Sequence, residues 1–593
     1  MTQLSRGICM KIRKGLVALT TLGLATALIA PTGANAVAKK TTKAKATTKP
    51  TTAPTTPKPA ATTATTPVAK SGGKLVWGLE AESSEGFLPS SSNCAISCYQ
   101  VFTSMAERLF AVNADGKVTP WLADSITPSP DYKLWTVKLK TGIKFQNGEA
   151  FNADAAKLNI DDFACGSVTL AAWFPLNGFG ALCKAGKLQA GVTVTGTDSL
   201  TISSPLGRWV SLPSYLASGQ TYMMAPEQIK AGNRNKPIGT GQYKFKEWTV
   251  GDHLTVTKNA DYWGKSKPNA DEIEFRPIPD ENARLAQLQA GQIDFLQTSN
   301  TLALKEMQGL EKEGKIKVDL GSPTFGEVSY IMLNNGIAPF NNKDCRLAAA
   351  ASIDVATVIK LRAPLNTAAD GPFPKGSLGY LPSSGYPKFD LDKAKASFAK
   401  CKAALGGGDV KFTLGTTTVP DNIQTFNVVI KQMIEQAGFK VDTVNIEQQK
   451  YIGVALVGAY QAFSWRSHGG FDPDQQRIWW HNEMNPRNPS TKELVYDGKT
   501  IDINLARVVD GSVDAAFDQI RQNSDPAVRR KAAEAINASL GENANNLWLW
   551  RTIWGVASCS KCGGATGQKT VSGEATQDFP TGLVADMGAL TKG

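Results

Sequence analysis

Trp135, Val137 and Leu139 alternate with Thr136, Lys138 and Lys140, the period-two pattern of a half-buried strand. Thr141-Gly142 turns the chain and Ile143 to Phe145 makes a second short strand. Asn147-Gly148 suits a tight hairpin turn, because both residues take positive φ at little cost. Asn152 then stands as a helix N-cap, with Asp154 in the first turn facing the helix dipole. Carried along the chain, the same reading gives a first strand over 74–79, a polar loop over 80–92, a helix over 101–110, and paired strands over 191–203 around Thr197-Asp198. A strand over 273–279 leads into a helix capped by Asp280 and closed at Gly291, followed by a strand over 293–296. Beyond Gly326 come a strand over 330–334, helices over 343–361 and 390–402, and a strand–helix–strand unit over 411–415, 423–437 and 439–446. A last helix over 526–540 runs into the apolar stretch 546–553, read as a strand crossing back to the first half. Strands alternating with helices in this order predict an α/β protein.

The ends of the chain change this picture. At 593 residues the chain is too long for one ordinary core and calls for about two to four domains. Residues 1–36 read as an export signal, with Arg6, Lys11, Arg13 and Lys14 ahead of an apolar stretch from Gly15 to Ala30 and a small-x-small site at Ala34-Asn35-Ala36. Met10 is an alternative start, and a signal anchor is the alternative reading, although the stretch is shorter than the roughly 20 residues of a spanning helix. No other stretch is long and apolar enough to span. Residues 37–72 form a disordered tether rich in Thr, Pro and Lys, with too little apolar surface to bury a core. The signal and tether carry basic residues and no acid, so nearly all of the net charge of +12 belongs to them. The folded remainder is close to neutral, which removes the case for nucleic-acid binding. The tether either rests on anionic wall polymer or headgroups or is a solvated spacer. Of nine cysteines, Cys9 falls in the signal. The even remainder suggests disulfides in an exported protein. Proximity suggests Cys94–Cys98, Cys165–Cys183, Cys345–Cys401 and Cys559–Cys562, and sequence alone leaves the connectivity open.

Several phrases say more than local physics does. PWLA at 120–123 is followed by KLKTGIKFQNGEAFNAD at 138–154. P-x-G-T-G-x-Y follows at 237–243, NADYWG at 259–264 and RLAQLQAGQIDF at 284–295. Asn334, Pro339-Phe340, Arg346 and Ile353-Asp354 complete the series. In this order they resemble the family 5 extracellular solute-binding proteins of ABC importers, which include oligopeptide, dipeptide and nickel-chelate binders. The resemblance covers about 73–555. It implies a periplasmic-binding-protein-like α/β fold of two lobes hinged around a ligand cleft. The first lobe would take 73–114 and 237–325, with an inserted subdomain over 115–236. The second would take 326–544, and 545–593 would be a first-lobe return strand and C-terminal tail. It further implies an exported monomer that binds an oligopeptide or similar small polar solute and delivers it to a membrane ABC permease. No catalytic residue, cofactor, metal or nucleic acid enters that function. Relatives often carry a lipid-anchoring Cys after the apolar stretch. None stands there in this chain, so the tether takes that role.

The resemblance also places a specificity segment at 462–482, AFSWRSHGGFDPDQQRIWWHN. Candidate ligand contacts are Glu82, just after the first strand, and Trp465, Arg466, Ser467, His468 and Asp472. In peptide-binding relatives, an Asp three positions before the acid of the acid-Pro pair holds the peptide's amino terminus. Gly469 occupies that position here, and an ammonium without a carboxylate in a closed cleft is costly. Arg466 and His468 replace neutral residues and favour an anionic or hydroxyl-rich ligand, so an oligosaccharide or anionic solute is the alternative cargo. Each residue also has a plainer reading. Asp472-Pro473 can simply shape a loop, and Trp465, Trp479 and Trp480 can pack within the lobe. His468 and His481 lack the acid or cysteine cluster of a metal site. Enzyme motifs are incomplete. Gly264-Lys265-Ser266 and Gly498-Lys499-Thr500 end like a P-loop, yet Asn259 and Glu493 stand where its first glycine belongs. The alternative of another class is a secreted hydrolase using Glu82 or Asp472 in the same cleft. Cys559-Ser560-Lys561-Cys562 has redox-motif spacing, read here as a structural disulfide.

Overall fold

The structure is a computed structural model that describes residues 72–593 apart from 84, 93–95, 167–182, 185–186, 205–206, 218–220, 322–326, 468–471, 486–490, 492, 499–502, 572 and 576–586. Strand Lys74–Leu79 lies in parallel between Glu272–Pro277 and Phe295–Thr298. Its near-continuous apolar composition is that of a strand covered on both faces. Tyr243–Thr249 and His253–Lys258 extend one edge, and Gly555–Cys559 and Ile316–Leu320 the other, completing a seven-stranded sheet. The helix expected at 101–110 runs instead over Ile96–Met105, and Phe110–Val112 is a strand. The glycines of P-x-G-T-G-x-Y explain where it stops. A Cβ at Gly239 would stand 2.3 Å from the Met105 carbonyl oxygen, and one at Gly241 2.5 Å from its carbonyl carbon. Only a bare backbone fits against the helix end.

The inserted subdomain has its own antiparallel sheet of Ala123–Pro128, Leu134–Leu139, Ser199–Ser203 and Val192–Gly196. Trp135, Val137 and Leu139 point inward in strict alternation, and helix Ala153–Ala164 adds Ile160 and Phe163 to the same core. Asn152 caps that helix through Ala155 N. The short strand expected at 143–145 reduces to one bridge, Lys144 to Ala150. The turn at Asn147-Gly148 follows too closely for a ladder to form, and Ile143 and Phe145 serve as core side chains.

The second lobe is a six-stranded sheet, ordered Thr367–Ala368, Asn546–Arg551, Val328–Leu333, Ala462–Ser467, Lys411–Thr417 and Lys440–Ile446. The helix expected at 343–361 is two, Lys343–Ser352 and Val355–Arg362, because Asp354 leaves the helical path to cap the second through Thr357 N. The helix expected at 423–437 is π-helical over Ile423–Ile430 and α-helical over Lys431–Gln436. The boundary drawn at 545 also needs correction. Asn546–Arg551 is wholly buried between Val328–Leu333 and Thr367–Ala368 and so belongs to the second lobe. The chain crosses back at 552–554, and Gly555–Cys559 is the strand that rejoins the first sheet. The tail is part of the first lobe's core, where Met587 and Leu590 are fully buried with Trp77 and Phe102.

Disulfides join Cys165 to Cys183, Cys345 to Cys401 and Cys559 to Cys562. Cys98 is also disulfide-bonded, and Cys94, its expected partner, lies outside the described residues. No helix among the described residues is long and apolar enough to cross a membrane.

On the subdomain helix, Asp162 is largely enclosed, and its Oδ2 is buried without a partner. Burial pushes its carboxyl from 3.8 up to about 6, against a hydrogen bond from Ser90 that favours ionisation. Between those values the folded chain keeps a proton that the unfolded chain has released. Stability therefore falls as pH rises from about 4 to 6, by roughly 1 to 3 kcal/mol. Asp162→Asn is expected to gain on the wild type above pH 6 and to show no gain at pH 4, measured by urea unfolding at both values.

Candidate functional site

The chain leaves the first lobe after Gly321, is in the second by Glu327, and returns over 552–554. The two crossings lie side by side, with Thr552 N donating to the Glu327 carbonyl at 2.8 Å and Gly321 N to the Trp554 carbonyl at 2.8 Å. Beside them, the end of Lys74–Leu79 in the first lobe faces the end of Ala462–Ser467 in the second. Arg466 spans the gap. Its Nη1 donates to Ser299 Oγ at 2.7 Å, and its guanidinium lies 5.1 Å from the Trp554 ring centre. Glu80 stands 3.9 Å from it and Glu327 3.8 Å.

This corner brings Glu80, Glu281 and Glu327 together with Arg466 and Arg284. Glu327 accepts from Trp554 Nε1 at 2.9 Å. Desolvation pushes the Glu80 carboxyl up, and Arg466 and Arg284 pull it back only in part. Behind it, Glu281 takes Arg284 and the Thr298 hydroxyl. Burial raises the Glu281 carboxyl too, against the attraction of Arg284. Arg466 was expected to attract an anion. The structure surrounds it with carboxylates, so its positive charge is already answered.

The other expected contacts separate. Ser467 is buried, and its Oγ shares a 2.7 Å hydrogen bond with Tyr330 OH. Trp465 is half-buried and stacks on Tyr451 at 5.8 Å between ring centres. Its Nε1 is buried with no partner. Glu82 is turned to its own lobe, accepting from Trp248 Nε1 at 2.6 Å and Gly251 N at 2.9 Å. Asp472 caps the short helix Pro473–Gln476 through Asp474 N and pairs with Arg529 at 2.7 Å. Its carboxylate thus shapes the loop. His468 and Gly469 lie outside the described residues. Sequence reading missed Glu80, Ser299, Glu327 and Trp554. Glu80 directly follows the first strand and was within reach of the same argument that picked Glu82. The other three come from distant segments that only the crossings bring together.

One further group could suggest a metal, Asp294 with Cys559 and Cys562. The two sulfurs are bonded to each other and Asp294 pairs with Lys592 at 2.8 Å, so the group offers no thiolate. His481 is buried, with Nδ1 accepting from Glu483 N at 3.0 Å.

Residues 117–488 match the family described as bacterial extracellular solute-binding proteins, family 5 Middle. The glutathione-binding protein GsiB of Pectobacterium atrosepticum is 30% identical over 351 residues. That alignment covers 58% of this chain and 64% of GsiB, so the chain spans less than two thirds of this relative's length. Among solved structures, the periplasmic binding protein DppA of Helicobacter pylori, in complex with peptide STSA, superposes with a TM-score of 0.72 at 21% identity, over 88% of this chain and 98% of DppA. AgaA from A. tumefacien R10, in complex with agropinic acid, gives 0.71 at 22% identity, over 86% and 97%. Both share the fold.

His481 also generates a test of the second lobe. Burial and the nearby Arg477 hold its imidazole down at about 3, against the attraction of Asp518; Asp514 and Glu483 also face it. As pH falls below 6.5 the unfolded chain takes up a proton that the folded chain refuses. Stability is then lost progressively down to about pH 3, by roughly 2 to 3 kcal/mol at pH 4. His481→Gln should lose correspondingly less stability than the wild type between pH 7 and pH 4, measured by denaturant unfolding.

Proposed function

We propose, since this chain belongs to the bacterial extracellular solute-binding proteins of family 5, that it is the exported binding component of an ABC importer. It captures an oligopeptide or similar polar solute between its lobes and delivers it unaltered to a membrane permease. The observation that carries this reading is Arg466, a second-lobe side chain bonded to first-lobe Ser299 beside paired crossings. Two bodies joined by short adjacent strands can swing, and side chains reaching across the gap hold them closed. A solute that touches both bodies favours the closed state by its differential affinity, and a permease can read that shape. The signal over 1–36 and the tether over 37–72 would place the protein outside the membrane and keep it near the permease.

A peptide-like solute fits the charge of the site better than a simple anion does. Arg466 already has Glu80 and Glu327 beside it, which leaves its charge less available to a simple anion. The names of two similar proteins agree, one binding glutathione and one solved with a peptide. An anionic or sugar-like solute is the second reading, supported by AgaA with agropinic acid.

Native mass spectrometry of the purified protein is expected to show a bound polar solute that returns with unchanged mass after long incubation. A cleaved product would establish a hydrolase instead. A tetrapeptide pool should raise the melting temperature, because a ligand that binds only the folded state stabilises it. A rise with an oligosaccharide pool and none with peptides would reverse the choice of solute. Arg466→Gln removes the side chain that reaches from the second lobe to Ser299 of the first and should weaken binding of the recovered solute about tenfold or more, by calorimetric titration.

A further inference from the structure

We propose that the inserted subdomain is the closing arm of the molecule, whose segment from Arg208 to Tyr215 grips the second lobe and holds the lobes together before a solute arrives. The inference rests on the reading of a hinged solute-binding protein. Among the described residues, the grip centres on Asp474, which is fully buried. Trp209 Nε1 donates to its Oδ2 at 3.1 Å, and Tyr215 OH donates to its carbonyl at 2.8 Å. From the second lobe, Arg521 Nε lies 3.1 Å from the same Oδ2, its guanidinium sits over the Trp209 ring, and its Nη2 donates to Tyr215 OH at 3.3 Å. Further contacts flank this centre. Val210 N donates to the Arg521 carbonyl at 2.9 Å, Arg208 reaches Ser524 Oγ at 3.1 Å, and Gln475 Nε2 donates to the Ser214 carbonyl at 3.2 Å. Arg529 joins Asp472 to Ser211 Oγ, the latter at 3.0 Å.

Three features make this a reversible latch. Trp209, Arg521 and Tyr215 supply donors to both the carboxylate and the carbonyl of Asp474, so protein groups suffice to form this contact. The charges are desolvated on closing, with Arg521 at 4% and Asp474 at 0% side-chain exposure. The loss of hydration is nearly matched by attraction within the pair, whereas an apolar seam of similar size would gain on closing and resist reopening. Burial works against the charge on Arg521, and Asp474 opposite more than restores it, so the guanidinium stays charged. Third, Asp472–Gln476 follows the candidate strand Ala462–Ser467 after a few residues. Gripping Asp474 therefore fixes the chain just beyond Trp465 and Arg466. On the hinge side, Arg466 is 39% exposed and, among the described residues, hydrogen-bonds Ser299 while Glu80 and Glu327 stay 3.8 to 3.9 Å away, a weaker hold than the arm's.

Small-angle X-ray scattering on the full chain tests the latch, with solute removed by reversible denaturation and the released solute fraction kept as the probe. Solute-free wild type should be compact, and its radius of gyration should not change when that fraction is returned. Arg521→Met should expand without solute and contract when the fraction is added. Trp209→Phe, which removes one donor and keeps the ring, should expand by less and decides the matter if Arg521→Met does not fold. The latch is overturned if solute-free wild type is expanded and contracts on adding the fraction; solute alone then closes the lobes, and the solute-binding reading stands. It is equally overturned if the folded variants stay as compact as the wild type.

Discussion

Where the chain passes between its lobes it does so twice, and the two passes are hydrogen-bonded to each other through Thr552 N, Gly321 N and the carbonyls of Glu327 and Trp554. Pairing confines the relative motion of two large bodies to bending and twisting about one short seam. It also decides which side chains meet. Glu327 and Trp554 belong to the seam itself, Glu80 and Ser299 end first-lobe strands beside it, and Arg466 ends a second-lobe strand facing them. The polar corner of the cleft is thus a consequence of where the backbone crosses.

Charge is handled differently on the two flanks. At the seam, Glu80 and Glu327 stand beside a partly exposed Arg466, and lost hydration pushes the Glu80 carboxyl up. At the arm, Asp472 with Arg529 and Asp474 with Arg521 are matched pair for pair, with neutral donors filling the remaining positions. A partly exposed charge beside a cleft can exchange partners with a solute; a matched and buried set suits closure. The two flanks thus suit different tasks, although Ser467 and Asp472 lie only a few residues apart in sequence.

Within each lobe, stability comes from more ordinary sources. Both large sheets bury central strands on both faces, and the tail side chains Met587 and Leu590 complete the first core. The Cys345–Cys401 disulfide ties the helices Lys343–Ser352 and Leu391–Ala404 on one face of the second sheet. Rigid lobes are what allow motion to concentrate at the seam.

Sequence by itself determined the α/β character, the Trp135–Leu139 alternation and the caps at Asn152 and Asp280, and proximity along the chain suggested three cysteine pairings that the structure forms. These depend on residues near one another in the chain, where periodicity and side-chain reach suffice. It also ordered the phrases that mark the family. Tertiary structure alone decided that Asn546–Arg551 stays in the second lobe, because an apolar strand carries no record of which sheet will cover it. It turned Glu82 and Asp472 to structural duties and set Glu80 and Glu327 beside Arg466. Those roles depend on carboxylates finding donors from remote segments, and the distance between such segments exists only once the chain has folded.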